Sequence, residues 1–202
     1  MTKDLLLIFT RNPELGKVKT RLAASIGDQA ALDIYKFLLS HTAKITAPLH
    51  VDKQVHYSVK VREGDLWDAS VYDKKQQEGA DLGQRMAFAF QQGFEAGYQR
   101  IIIIGSDMYD LSTLDLQQAF DQLKDRDYVI GPAEDGGYYL LGLKAVYPAI
   151  FQKKEWGTST VLQDTLDDLK ELDGFLLPQR NDVDLYEDIK NVDAFRGFLP
   201  EE

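Results

Sequence analysis

Three short strings hold the groups with the most chemistry in this chain: IIIIGSD at 101–107, EDGGYY at 134–139 and NDVD at 181–184. In the first, an unbroken run of isoleucines requires a strand buried on both faces of a parallel sheet. Ser106 and the carboxylate of Asp107 then emerge at that strand's carboxyl end, the ligand-binding edge of open α/β sheets. The second string follows another apolar strand, 128–132, and sets Asp135 before Gly136 and Gly137, a pair that lets the main chain approach a ligand closely. An ordinary Asp-Gly hairpin turn accounts for the same residues without chemistry. Tyr138 and Tyr139 point to opposite faces if extended, so at most one lines a pocket, and Tyr138 is the candidate. In the third string Asp182 and Asp184 share a face if extended; Asp184 is either a further metal contact or the cap of a last helix. Carboxylates converging on one sheet edge point to a divalent cation, Mg²⁺ or Mn²⁺, whose coordination a phosphorylated ligand completes.

The loop TRNPELGKVKTRL at 10–22 sets Arg11, Lys17, Lys19 and Arg21 against the single acid Glu14, in a chain of net charge −10. Local charge against the global balance calls for a counter-ion, and Gly16 would let backbone amides approach that anion. The loop is not a P-loop, which needs glycine at Arg11 and serine or threonine at Val18. Read as exposed charges, Lys19 and Arg21 should matter to phosphate and little to stability. The alternative is a solvated loop of dispersed cations. Two further strings could touch a ligand. QEGADLGQRM at 77–86 is a glycine-containing turn entering a helix, whose amides could hold a nucleotide or whose Asp81 could simply cap. EWGTSTV at 155–161 places Trp156 beside a helix start at Thr158, where the ring could stack on a sugar or base or be buried.

The elements that must position these groups alternate along the chain. Strands are expected at 5–9, 54–59, 101–104, 128–132, 138–143 and 175–177. Helices are expected after a cap at Asp28, over 82–97, after a cap at Ser112, from Thr158 or Ser159 to Leu169, and over 185–195. Only a short turn separates 128–132 from 138–143, so the latter should run antiparallel. The pattern is that of a single-domain three-layer α/β/α fold over 1–202, with a mixed, mostly parallel sheet. A net charge of −10 argues against a nucleic-acid polymer as partner. The absence of cysteine excludes thiolate chemistry, and His41, His50 and His56 all precede the sheet edge of interest, so histidine catalysis is not expected. The apolar run LLLIF is too short for a signal segment or a membrane span, so a cytoplasmic protein is expected.

In order, FTRNPELGKVKTRL, GADLGQRM, IIIIGSDMYDL, GPAEDGGYYLLGL, WGTSTV and DVDLYEDI resemble the bacterial DUF2064 family of GT-A-like transferases over nearly the whole chain. That family is similar in fold to nucleotide-diphospho-sugar transferases, both glycosyltransferases and nucleotidyltransferases. The resemblance implies phosphate contact from Lys17, Lys19 and Arg21, nucleoside contact around Gly79, Asp81 and Gly83, and metal binding at Asp107. It makes Asp135 an acceptor-side or metal-side carboxylate and Asp184 a further metal contact. The chain departs from the family pattern at Tyr109, where proline is common, and at Gly157, where serine is common, which bears on acceptor specificity. The expected activity is a metal-dependent glycosyltransferase using a nucleotide-diphosphate sugar and an unknown small acceptor, with Asp135 as base. One alternative is a nucleotidyltransferase that joins a nucleoside triphosphate to a phosphorylated small molecule and releases pyrophosphate. Another is a non-catalytic nucleotide or sugar-phosphate binding protein.

Overall fold

The computed structural model describes residues 3–199. Along the chain come β1 (Asp4–Thr10), α1 (Thr20–Ile26), α2 (Asp28–Thr46), β2 (Asp52–Tyr57), β3 (Asp73–Gln76), α3 (Leu82–Glu95), β4 (Arg100–Ile104) and α4 (Thr113–Asp125). They are followed by β5 (Tyr128–Pro132), β6 (Tyr138–Leu143), a short 3-10 turn (Pro148–Phe151), α5 (Val161–Asp168), β7 (Gly174–Leu176), α6 (Tyr186–Ile189) and a closing 3-10 segment (Asp193–Phe198). The strands form one sheet in the order β3-β2-β1-β4-β6-β5-β7. Its pairs are parallel except the two that β6 makes with β4 and β5, so β6 alone is reversed. This is the mixed, mostly parallel sheet and the antiparallel sixth strand that the sequence implies.

The apolar runs follow from burial on both faces. Leu6 and Ile8 of β1 and Ile102 and Ile104 of β4 pack on one side with residues of α2 and α4. Their neighbours Leu5, Leu7, Ile101 and Ile103 pack on the other side with Met86 and Phe90 of α3. Each such side chain contributes about 1.5–3 kcal/mol on leaving water, so polar residues are confined to the ends of these strands, at Asp4, Thr10 and Arg100. Ser112 starts α4 through a capping box with Asp115. Among the described residues no helix is long and apolar enough to cross a membrane.

Several boundaries differ from those read in the sequence. Helix α1 begins at Thr20, at the very end of the basic stretch. Gly27, at φ 85°, separates it from α2, so Asp28 sits in the first turn of α2 and does not cap it. Strand β3 is an edge strand of sequence DKKQ, and its polar residues give no apolar signal. Helix α5 starts at Val161, not at Thr158 or Ser159. The expected helix over 185–195 is a single α turn followed by the 3-10 segment. Ile189, Val192, Phe195 and Phe198 recur every third residue and pack in one cluster, the spacing a 3-10 helix aligns and an α-helix does not.

His56, in β2, is 5% exposed, and burial pushes its imidazole pKa down to about 4. The folded state therefore refuses a proton that the unfolded chain accepts near pH 6.5. Stability should be unaffected by this group above pH 6.5 and fall by about 3 kcal/mol between pH 6.5 and 4. Urea titrations of the wild type and His56→Gln across that range check it, since the slope should flatten in the variant.

Candidate active site

The carboxyl ends of β1 and β4 open on a cleft of two adjoining lobes. The larger, about 730 Å³, takes Arg11, Lys17, Lys19 and Arg21 from the basic stretch, Tyr35 from α2, and Gln77 and Arg85 from the approach to α3 and its first turns. The smaller, about 250 Å³, is walled by Leu82, Met86, Tyr138, Trp156 and Val161 and carries Asp135 on its rim. Phe9, Leu82, Gly105, Asp107 and Asp182 border both lobes, so the two carboxylates stand at the junction.

Asp107 follows directly from β4, and a Cβ at Gly105 would lie 2.8 Å from its Oδ1. Lys19 reaches it from below. Its backbone is left-handed, φ 49° and ψ 45°, at the start of α1, and its Nζ lies 2.9 Å from Asp107 Oδ2 and 3.8 Å from Asp184 Oδ1. The side chain is 5% exposed. Burial alone draws the ammonium down, but Asp107, Asp184 and Asp182 together more than reverse this and leave its pKa raised. Arg21 pairs with Asp184. The Asp182 carboxyl is pushed up to about 6, first by burial and then by the charge of Asp107, with Lys19 opposing.

Asp182 and Asp184 arrive on an extended strap laid along β5. The Leu177 amide donates to Ile130 O at 2.8 Å, the Arg180 amide to Pro132 O at 3.1 Å and the Val183 amide to Asp107 O at 3.4 Å. The Arg180 guanidinium secures the strap through Asp110 O at 2.6 Å and Asp115 Oδ1 at 2.7 Å. On the other side of the junction three hydroxyls meet: Ser106 Oγ is 3.1 Å from Thr10 Oγ1 and 3.2 Å from Tyr35 OH. Tyr35 OH also accepts the Arg11 amide at 2.9 Å, tying the basic stretch to α2.

The residues singled out in the sequence fall into two groups. Arg11, Lys17, Lys19, Arg21, Ser106 and Asp107 line the larger lobe, and Asp107, Asp135, Gly137, Tyr138, Trp156 and Thr158 line the smaller. Lys17 is already paired with Glu14 at 2.8 Å. Asp135 also does the turn's work, its Oδ1 accepting the Gly137 amide at 2.9 Å. Gly136, at φ 88°, is packed against the Ser159 backbone where no side chain fits, so it shapes the turn from behind. Thr158 donates to Glu155 O at 2.8 Å.

Gly16, Gly79, Asp81 and Gly83 do not line either lobe. Gly16 makes a turn at φ 70° facing Asp28. Asp81 caps α3 by accepting the Gln84 amide at 2.8 Å. Gly79 and Gly83 are sites of tight packing, against the start of α3 and against Phe151 and Trp156. The polar groups that this stretch does present to the larger lobe are Gln77, before α3 begins, and Arg85, one turn into it beside Leu82. Asp184 neither caps α6 nor faces the junction unpaired: it is held by Lys19 and Arg21, and Asp182 is the carboxylate left facing Asp107. Tyr109 packs with Phe37, His41 and Phe195 in an aromatic cluster away from both lobes.

Among the described residues no group of three or more carboxylates and imidazoles forms a metal cage. Asp107 and Asp182 nonetheless both border the junction of the two lobes and offer hard oxygens there. Two carboxylates completed by phosphate oxygens are the donor set Mg²⁺ normally takes.

Over residues 42–158 the sequence matches a family described as "Uncharacterized protein conserved in bacteria (DUF2064)". No curated protein matches it. The crystal structure of a protein from Desulfovibrio desulfuricans G20, provisionally named a nucleotide-diphospho-sugar transferase, superposes with a TM-score of 0.85 at 34% identity, covering 97% of this chain and 91% of that one. A cytidylyltransferase from Leptospira borgpetersenii serovar Hardjo-bovis (strain JB197) gives 0.56 at 13% identity, covering 100% and 89%. A 4-diphosphocytidyl-2C-methyl-D-erythritol synthase gives 0.58 at 12%, covering 96% and 99%. These last two share the fold.

Proposed function

The chain belongs to the DUF2064 family, and from that premise we propose that it is a metal-dependent glycosyltransferase: it binds a nucleotide-diphosphate sugar in the larger lobe and passes the sugar to a small acceptor in the smaller one. The observation that carries this reading is the division of the cleft into a cationic and an apolar lobe that meet at Asp107 and Asp182. The 34% identity to a protein provisionally named a nucleotide-diphospho-sugar transferase supports it.

Arg11, Lys19 and Arg21 bind the diphosphate, Lys19 turning from Asp107 toward it, and the hydroxyls of Thr10, Tyr35 and Ser106 fix the loop that carries them. Asp107 and Asp182 would hold Mg²⁺ or Mn²⁺, which when bound neutralises charge on the departing diphosphate. The acceptor hydroxyl, oriented against the wall of Trp156 and Tyr138, attacks the sugar's anomeric carbon. Its oxygen forms the new bond, its proton passes to Asp135, and the bond from anomeric carbon to phosphate oxygen breaks with its electron pair on the nucleoside diphosphate. A nucleotidyltransferase is the second reading. The number of cations in the larger lobe favours it, since a triphosphate could use them all.

Calorimetry with nucleoside diphosphates tests the binding step. Affinity should drop at least tenfold on chelation or in Asp107→Asn, which keeps an oxygen for Lys19 and so the fold; equal affinity with and without metal overturns the metal role. Release of nucleoside diphosphate from a nucleotide sugar identifies the glycosyltransferase. Pyrophosphate from a triphosphate plus a sugar phosphate, with no nucleotide sugar consumed, replaces it with the second reading.

A further inference from the structure

The cations of the cleft are sorted by lobe. Arg11, Lys17, Lys19, Arg21 and Arg85 all face the larger lobe. Among the described residues no lysine, arginine or histidine lines the smaller lobe, whose charged groups are Asp107, Asp135 and Asp182. Its remaining wall is largely hydrocarbon and aromatic: Phe9, Leu82, Met86, Tyr138, Trp156 and Val161. Helix starts do not redress the balance. The first turn of α3 is closed off by the Asp81 carboxylate, and α5 begins beyond Gly136, whose carbonyl takes the Leu162 amide at 2.9 Å.

From this we infer that the acceptor is a small, non-phosphorylated alcohol with an apolar body, and that the lobe excludes phosphorylated acceptors. This deepens the transferase reading and rests on its assignment of the two lobes. A phosphate monoester entering here would meet the Asp135 carboxylate with no cation on the lobe's own walls, since Lys19 answers Asp107 and Asp184 from the larger lobe, and the apolar walls lower the dielectric and lengthen the reach of that charge. A hydroxyl suffers no such penalty, since a carboxylate accepts its proton. An apolar body gains by covering the walls, and a volume near 250 Å³ limits its size. The same charge pattern selects against the phosphorylated co-substrate that the nucleotidyltransferase reading needs.

The chain's methionines supply a local probe, because Met86 and Met108 both line this lobe. With methyl-labelled methionine, the protein is titrated with 2-phenylethanol and with 2-phenylethyl phosphate, in the presence of saturating nucleoside diphosphate and Mg²⁺ so that the larger lobe is filled. The alcohol should shift the Met86 and Met108 methyl signals, and the phosphate should bind at least tenfold more weakly. Thr158→Arg places a cation on the exposed rim without burying it and should narrow or reverse that preference. A phosphate that binds as tightly as the alcohol in the wild type, or an alcohol that leaves both methyls unmoved, overturns the inference. Nucleotide binding is followed separately by calorimetry. If it fails, the titration without nucleotide still reads the lobe, so loss of the transferase reading and loss of this one are told apart.

Discussion

Lys19→Met should cost about 2–3 kcal/mol of stability, lowering the melting temperature by roughly 5–10 °C, while Arg21→Ala stays within about 0.5 kcal/mol. The two cations are near neighbours in one loop, and both were expected from the sequence to be dispensable to the fold. The structure separates them. Lys19 is 5% exposed and is the shared counter-ion of Asp107 and Asp184, whereas Arg21 is 67% exposed. Removing a buried ammonium leaves carboxylates facing one another; the figure is kept below that for a fully buried pair because Asp107 is 38% exposed and water screens it. Urea unfolding of both variants checks the prediction, and equal costs would make the Lys19 contact incidental. In a ligand assay both variants should still lose nucleotide affinity, since both line the larger lobe.

Asp135→Asn should slow turnover by about 10²–10³-fold while changing nucleotide affinity by no more than about twofold. Asparagine retains the oxygen that accepts the Gly137 amide, so the turn persists and only the capacity to take a proton is lost. Asp135 borders the smaller lobe and not the larger, which is why affinity is spared. Release of nucleoside diphosphate to water, measured without the acceptor, gives the rate. A variant that binds nucleotide poorly but turns over normally when saturated would move Asp135 from the acceptor side to the nucleotide side.

The strands that position the site were legible because their signal is physical and local: residues 101–104 can only be a doubly buried strand, and the turn after 128–132 is too short for a parallel crossover. Strand β3 was not legible, because an edge strand is paired on one side only and its DKKQ sequence reads as loop. The same limit applies to charge. Spacing identifies Lys19 and Asp184 as polar but cannot show that they meet across the chain, so the one reads as an exposed phosphate ligand and the other as either a metal contact or a helix cap. Asp81 illustrates the opposite case: the cap and the ligand contact use the same residue type at the same place, and the structure assigns the cap. Arg85 was hidden within an ordinary amphipathic helix, and only the fold turns its face toward the cleft.

The reversal of β6 has a bearing on motion. A parallel strand there would have required a long crossover, and the acid would have hung on a mobile segment. Instead Asp135 rides the tip of a hairpin whose two legs are central strands and whose back is wedged on Ser159 through Gly136. Such a tip has almost no slack of its own and can shift only if the sheet shifts. Adaptation to differently shaped acceptors therefore falls to the lobe's unbranched side chains, Met86 and Met108, which can change rotamer where the backbone around them cannot move.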